Sequence, residues 1–337
     1  MTERVQHSAS RRYRSPFVAA LAWAVCALLA TAAVGKVIAS AAGERTVIRL
    51  ELDPSLAGLA AIHWRQWIET TADSVAAIVG GFPQRHIVVQ LEADRSRQPI
   101  AYGRVQRGNP PRIRLQVHPD ASMAELLDDW RGYHEFAHLL IPFPGNDDIW
   151  FSEGLASYYQ YLLQSRAGVI PPDEAWRRLA AGFRRGLSDF NGHGQTLRAL
   201  SPNMWRERAF RRVYWTGAAY FLRVDLRLRE QSGGKHSLDQ VLADFHACCY
   251  SRHHRWNAER LIARFGELSI PSVWREEYES MIDEPAKPRV TAAFERLGIV
   301  MHADDIELGD AHSERQLRQA LAEGTPGPSQ KRQSERR

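Results

Sequence analysis

Hydrophobic and polar residues alternate along several short segments in the first 120 residues of the chain. A two-residue period puts one face of a strand in the core, so these segments are predicted to be β-strands. Between the first two, the segment Pro54–Gly80 repeats apolar residues at helical spacing and ends in Gly80-Gly81, which predicts one long amphipathic helix. The predicted strands are Thr46–Leu52, Ile87–Leu91, Ala101–Val105 and Arg112–Val117.

The period changes to a helical one after Pro119-Asp120. Ser122 and Glu125 have the spacing of a capping box, which predicts a helix from Met123 through His138. Prolines at 142 and 144 end this helix, and a second helix is predicted to carry Glu153 and continue to about Gln164. Further helices are predicted at Asp173–Arg185, Arg206–Arg229, Ser237–Phe245, Ala258–Phe265, Val273–Ile282 and Val290–Leu297.

These patterns predict an α+β fold in two lobes. Residues 43–120 form a β-rich lobe with one long helix inserted, and residues 121–300 form a mostly helical lobe. The segment 301–337 is polar and is predicted to be a disordered tail. The chain contains no internal repeat.

The amino-terminal region differs from the rest of the chain in its distribution of charged residues. Phe17–Val34 contains no charged residue, and it follows a basic stretch, residues 1–15, with arginines at 4, 11, 12 and 14. Residues 16–42 are therefore predicted to be either an uncleaved transmembrane anchor or a cleaved signal sequence, with a buried soluble helix as a third alternative. The first two alternatives leave residues 1–15 in the cytosol. They place the rest of the chain outside it, membrane-anchored or secreted, and in the periplasm of a bacterium.

Composition is that of an ordinary globular protein, with 337 residues, 44% hydrophobic and 25% charged. The formal net charge is +5, but no recognition motif accompanies it, so nucleic acid is not expected as a partner. Of the three cysteines, Cys26 lies in the apolar run, whereas Cys248 and Cys249 are adjacent. The exported domain therefore has no disulfide between distant segments, and packing or a metal must stabilise it.

The strongest chemical signal is the segment His134-Glu135-Phe136-Ala137-His138. Two histidines four residues apart on a helix lie about 40° apart around its axis, so both rings can bind one metal ion. Glu135 can take the proton of an attacking water, and Glu153 is available as a third ligand. Three protein ligands and an open position are typical of a catalytic zinc. A helix with two histidines on a polar face is the alternative, but the apolar flanking residues indicate a buried segment whose imidazoles need a partner.

The segment Trp150–Tyr159 resembles the W-x-x-E-G-x-A segment of the gluzincin metallopeptidases. This clan, MA, includes relatives of aminopeptidase N and leukotriene A4 hydrolase as well as the glycyl aminopeptidases. The resemblance implies a thermolysin-like fold, with one zinc ion held by His134, His138 and Glu153 and with Glu135 as general base. Fourteen residues separate His138 from Glu153. This gap is shorter than in the aminopeptidase relatives and indicates a compact, divergent member.

A second matching segment is Val213–Leu222, which resembles the Y-x-x-G helix start of the aminopeptidase relatives. Tyr214 matches the tyrosine that steadies the oxyanion of the tetrahedral intermediate in those enzymes. A tyrosine packed in a helical core is the alternative for Tyr214, and it is favoured for Tyr220. No G-x-M-E-N segment precedes His134, so recognition of a free amino terminus has no sequence support.

The function predicted from these residues is zinc-dependent hydrolysis of peptide bonds, with a peptide or protein as substrate and the membrane as a partner through the amino-terminal segment. The clan binds its substrate backbone along an edge strand, for which Ala101–Val105 and Arg112–Val117 are both candidates. Two alternatives are a zinc-stabilised extracytoplasmic scaffold without turnover and a hydrolase of another amide or ester. The intact Glu135 argues against the scaffold. His2Glu sites also accept cobalt or manganese.

Overall fold

The computed structural model describes residues 34–39, 45–57, 60–250 and 255–324, with backbone alone for the first range. Its amino-terminal part is built on a five-stranded sheet of order β1-β2-β3-β5-β4. Strands β2, β3 and β5 run parallel, whereas β1 and β4 pair antiparallel at the two edges. The strands are β1 (Val34–Ala39), β2 (Arg45–Leu52), β3 (His86–Ala93), β4 (Ile100–Gln106) and β5 (Arg112–Val117).

The helix predicted between β2 and β3 is present as α1 (Ala60–Val79), and Pro54–Leu56 form a short 3-10 turn before it. Helix α1 buries Trp64 and Trp67 completely. Strand β5 alternates between partly and fully buried residues, as the two-residue period predicts, and turns Ile113 and Leu115 into the core. All four strands predicted from the sequence are therefore confirmed.

The helix predicted from Met123 through His138 is broken in the structure. Helix α2 (Met123–Asp128) ends where Asp129 adopts an extended backbone, and α3 (Trp130–Ala137) begins directly after it. The break is stable because the Asp129 side chain caps α3 by accepting a hydrogen bond from the backbone N–H of Arg131 at 2.9 Å. His138 follows α3 as the first residue of a 3-10 turn, and its backbone remains helical.

The rest of the chain is mostly helical, which confirms the α+β class. The helices that follow are α4 (Ile149–Arg166), α5 (Pro172–Leu187), α6 (Leu197–Leu200), α7 (Phe210–Ser232), α8 (Leu238–Cys248), α9 (Ala258–Glu267), α10 (Pro271–Glu279), α11 (Thr291–Arg296) and α12 (His312–Glu323). At the end of α8, Cys248 and Cys249 are bonded to one another.

The prediction of a disordered tail from residue 301 is wrong through residue 323. A hairpin of β6 (Ile299–Met301) and β7 (Ile306–Leu308) precedes α12, which buries Leu321 completely. Arg318 is 4% exposed and donates to the carbonyls of Leu297 and Gly309 at 2.6 and 2.7 Å. The segment is polar because most of its side chains are exposed, while Arg318 is buried with its guanidinium bonded to two carbonyls. Residues 325–337 lie outside the described residues.

The predicted membrane anchor or signal sequence, residues 16–42, lies mostly outside the described residues, as do the basic residues 1–15. Its later part, Val34–Ala39, is strand β1, paired antiparallel with β2, and is not part of a helix. Within the part of the chain that is described, the helices are too short or too polar to span a bilayer.

Candidate metal centre and catalytic site

The three predicted metal ligands come together at the junction of α3 and α4. The candidate ligand atoms of His134, His138 and Glu153 all lie within 4.8 Å of one another. Glu153 Oε2 is 3.2 Å from His134 Nε2 and 3.6 Å from His138 Nε2. The three side chains are between 5% and 12% exposed. Two imidazoles and a carboxylate thus converge on one small, nearly buried volume.

Two buried side chains on α4 orient the imidazoles. His134 Nδ1 lies 3.0 Å from Gln160 Oε1, and His138 Nδ1 lies 3.0 Å from Ser152 Oγ. Because an amide oxygen only accepts, the first contact requires His134 Nδ1 to carry a proton, so Nε2 is the ring atom available to bind a cation. Partners of this kind fix the tautomer and the ring orientation of metal-binding histidines. Neither residue belongs to a motif that the sequence singles out, although Gln160 lies two helical turns after Glu153 on the same face.

The donor set fits a divalent cation. His134 Nε2 faces the Glu153 carboxylate at 3.2 Å. Burial by itself would lower the pKa of His134, but the hydrogen bond and the charge of that carboxylate raise it above the ordinary value. A cation bound between the two groups would take the place of the proton that they share. Burial lowers the pKa of His138 to about 3, which keeps this ring neutral at physiological pH. Two imidazoles and one carboxylate form a donor set that suits zinc.

Glu135 lies beside the centre and faces strand β4. It is 7% exposed, and burial raises its pKa to about 7. The close approach depends on Gly103 of β4, because a Cβ at that position would come within 2.7 Å of Glu135 Cγ and 2.8 Å of its Oε1. A carboxyl group with a pKa near neutrality can both accept and return a proton under physiological conditions.

Tyr214 reaches the centre from the first turn of α7. Its ring stacks on the His134 imidazole, with centroids 6.0 Å apart and an interplanar angle of 19°. Its hydroxyl is within hydrogen-bonding reach of the Glu153 carboxylate, and burial raises the pKa of Tyr214 well above its usual value. The phenol therefore remains a donor at physiological pH. Tyr220 is instead fully buried and donates to the carbonyl of Trp274 at 3.2 Å, as a packing residue does.

These groups open into a cleft of about 840 Å³. One wall is strand β4, which lies at the edge of the sheet, whereas β5 is enclosed between β3 and β4. Of the two candidate substrate strands, only the one at Ala101–Val105 thus has a free edge on the cleft. Trp205, Phe143 and Ile149 contribute apolar surface to the lining.

Comparison with known proteins agrees with this geometry. The M61 glycyl aminopeptidase family matches residues 144–219, a range that includes Glu153 and Tyr214. No curated protein matches the chain. An aminopeptidase N family protein from Idiomarina loihiensis is similar in structure over 80% of this chain and 50% of its own, with 12% identity and a TM-score of 0.60.

A variant of the M1 zinc metallopeptidase from Deinococcus radiodurans, bound to a Tyr-Ser-Ala substrate, is similar over 76% of this chain and 53% of its own, with 14% identity and a TM-score of 0.49. The chain thus spans about half the length of these solved structures. The resemblance to the gluzincin metallopeptidases that the motifs predict is confirmed over residues 144–219, and the fold is similar to that of an aminopeptidase N family protein.

Proposed function

We propose that this protein is a zinc-dependent peptidase that hydrolyses peptide bonds in the cleft beside β4. The observation that carries the proposal is the convergence of the candidate ligand atoms of His134, His138 and Glu153 within 4.8 Å, with Glu135 next to His134 on α3. His134, His138 and Glu153 would hold one zinc ion. When bound there, zinc supplies a Lewis acid that lowers the pKa of water and polarises a carbonyl.

Glu135 is the general base and then the general acid. Its carboxylate removes a proton from the attacking water and later gives that proton to the leaving amine. The nearly buried position between α3 and β4 favours this double role, because burial raises the pKa of Glu135 to about 7.

Tyr214 stabilises the transition state. Its hydroxyl lies within hydrogen-bonding reach of the Glu153 carboxylate, and it remains protonated because burial raises its pKa. Charge develops on the carbonyl oxygen only as the reaction proceeds, so a fixed donor at this position lowers the barrier more than it strengthens substrate binding.

The substrate backbone is proposed to add to the free edge of β4. An extended peptide can pair with the exposed N–H and C=O groups of an edge strand, and this pairing would place its carbonyl near Glu135. The alternation along β4 also turns Gly103 toward Glu135, so the general base lies directly against this strand.

The site of action is proposed to be outside the cytosol, either on a membrane or secreted. The support is the basic amino terminus followed by the uncharged run Phe17–Val34. Fractionation of cells that produce the whole chain, with amino-terminal sequencing of the product, would distinguish an anchor from a cleaved signal. A product found in the cytosol with its amino terminus intact would contradict export.

The test of the function is turnover of a broad peptide library by the zinc-loaded protein. The wild type should cleave, a chelator should stop cleavage, and added zinc should restore it. Glu135→Gln should retain one zinc per chain and lose at least about 100-fold in kcat, the usual contribution of a general base. Glu295→Gln makes the same change on the exposed face of α11 and should behave as wild type. Full activity of Glu135→Gln, or no cleavage of any peptide by zinc-loaded wild type, would refute the proposal.

A further inference from the structure

The charged groups that line the cleft are mostly cations. The lining contains two carboxylates, Glu135 and Glu153, and three arginines, Arg104, Arg107 and Arg131. Both carboxylates belong to the catalytic centre, so the described lining offers no spare acid to bind a substrate amine. Arg131 is engaged elsewhere, with Asp129 at 2.9 Å and Gln98 at 2.8 Å. Arg104 and Arg107 thus line the cleft without an ion pair to any described residue, and Arg104 does so from the face of β4 opposite to Gly103.

Arg107 is the one closer to the centre. It directly follows β4, and its Nη1 donates to the backbone carbonyl of His138 at 3.1 Å. Its guanidinium carbon lies 5.4 Å from the centroid of the Phe143 ring. The charges of Glu153 and Glu135 both act on Arg107, so it is within electrostatic reach of the reacting groups. The bond to His138 uses one of five N–H donors, and the others meet no acceptor among the described residues.

We propose that Arg107 binds a carboxylate of the peptide substrate and is the main determinant of specificity in this cleft. The inference rests on the proposed peptidase function and names the class of peptide that the site selects. One N–H group of the guanidinium is fixed by a hydrogen bond, and an aromatic ring packs against its plane. The remaining N–H groups lie in that plane and can donate two parallel hydrogen bonds to one carboxylate. An amine at the same position would be repelled.

Arg107 is exposed, so its unused N–H groups are accessible to a ligand in the cleft. The anchor to the His138 carbonyl holds its position relative to the centre, so a carboxylate bound there lies a defined distance from the scissile bond. The carboxylate can come from an acidic side chain or from the free carboxyl terminus of the peptide.

The experiment uses four forms of one peptide that the wild type cleaves, with Glu or Gln next to the scissile bond and with a free or an amidated carboxyl terminus. The zinc-loaded wild type should prefer one carboxylate form over its neutral counterpart by about 10- to 100-fold in kcat/KM, the usual value of a charge-assisted hydrogen-bonded pair. Comparison of the Glu and Gln peptides shows whether a side-chain carboxylate is recognised. Comparison of the free and amidated peptides shows whether the terminal carboxylate is recognised. Arg107→Met should bring the ratio of kcat/KM for the carboxylate and the neutral peptide close to one.

Arg104→Met is the matched control. It removes the same charge from the same strand end, but alternation along β4 places residue 104 on the face opposite to Gly103. It should keep the preference. Equal rates on carboxylate and neutral peptides by wild type, or equal losses in the Arg104 and Arg107 variants, would overturn the inference while peptide hydrolysis stands.

If no peptide were cleaved, the proposed peptidase function would be refuted, but the inference about Arg107 could still be tested. Binding of the four peptides to Glu135→Gln, measured by calorimetry, would then test the inference alone. A carboxylate preference that disappears in the Glu135→Gln/Arg107→Met double variant supports it, whereas equal affinities for all four peptides contradict it.

Discussion

Gly154 and Gly217 lie in direct backbone contact where α4 crosses α7. A Cβ on Gly154 would come within 2.5 Å of Gly217 Cα, and a Cβ on Gly217 would come within 2.8 Å of Gly154 Cα and 2.4 Å of the Trp150 carbonyl oxygen. Gly154 follows the candidate ligand Glu153, and Gly217 lies one helical turn after Tyr214. The close crossing therefore brings these two functional side chains together. It gives a physical reason for the glycine in each of the two matched motifs.

Gly217→Ala should separate the two helices. Because backbone atoms cannot yield as a side chain can, the added methyl should lower the free energy of unfolding by about 1–3 kcal/mol, as overpacking does. The displaced Glu153 should also bind zinc more weakly. Urea denaturation of the metal-free variant and a zinc titration measure the two effects. Wild-type stability together with wild-type zinc affinity would show that the crossing is not as tight as described.

Gln160→Leu should weaken metal binding without touching a ligand. The Gln160 amide fixes the tautomer and orientation of His134, and losing such a partner typically costs 10- to 100-fold in metal affinity. Gln164→Leu is the matched control, one turn further along α4. Gln164 donates to the carbonyls of Leu127 and Asp128, so its loss should lower stability and leave zinc affinity unchanged. The same loss of affinity in both variants would assign the effect to α4 as a whole.

Tyr214→Phe should lower kcat by about 100-fold if the hydroxyl donates to the oxyanion. KM and bound zinc should change little, because the donor acts in the transition state. Tyr220→Phe removes a hydroxyl from the same helix, but that hydroxyl serves the Trp274 carbonyl in the core. It should reduce stability and leave kcat unaltered. An unchanged kcat in Tyr214→Phe would leave Tyr214 as a packing residue.

His246 should make the fold sensitive to acid. Burial lowers its pKa to about 4, while its Nε2 lies 2.7 Å from the Leu140 carbonyl in the turn after His138. The ordinary pKa is about 6.5, so between pH 6.5 and 4 the unfolded chain binds more protons than the folded one. The free energy of unfolding should therefore fall as pH drops through this window, by at most about 1.4 kcal/mol per pH unit from this group.

Denaturation of the metal-free protein at a series of pH values tests this expectation. His246→Gln retains a donor for the Leu140 carbonyl and removes the titrating group, so its stability should depend less on pH between 6.5 and 4. His138, whose pKa is also lowered, contributes equally to both proteins and cancels in the comparison. Identical slopes for the variant and the wild type would show that His246 is not the group responsible.

The sequence alone determined the parts of this protein that depend on local spacing. Histidines four residues apart share a helix face wherever the helix lies, so His134 and His138 were identifiable before any fold was known. The same holds for β5, where every second residue is apolar, and for the cap at Ser122 that starts α2. Each of these features is set by backbone geometry within a few residues.

Tertiary structure decided everything that depends on which distant segments meet. It made β4 and not β5 the edge strand, because strand order follows from pairing and not from the pattern within a strand. It placed Arg107 at the catalytic centre through a bond to a backbone carbonyl 31 residues away, and it brought Gly103 against Glu135. Close contacts of this kind arise only when helices and sheet pack together, so they cannot be predicted from the periodicity within one segment.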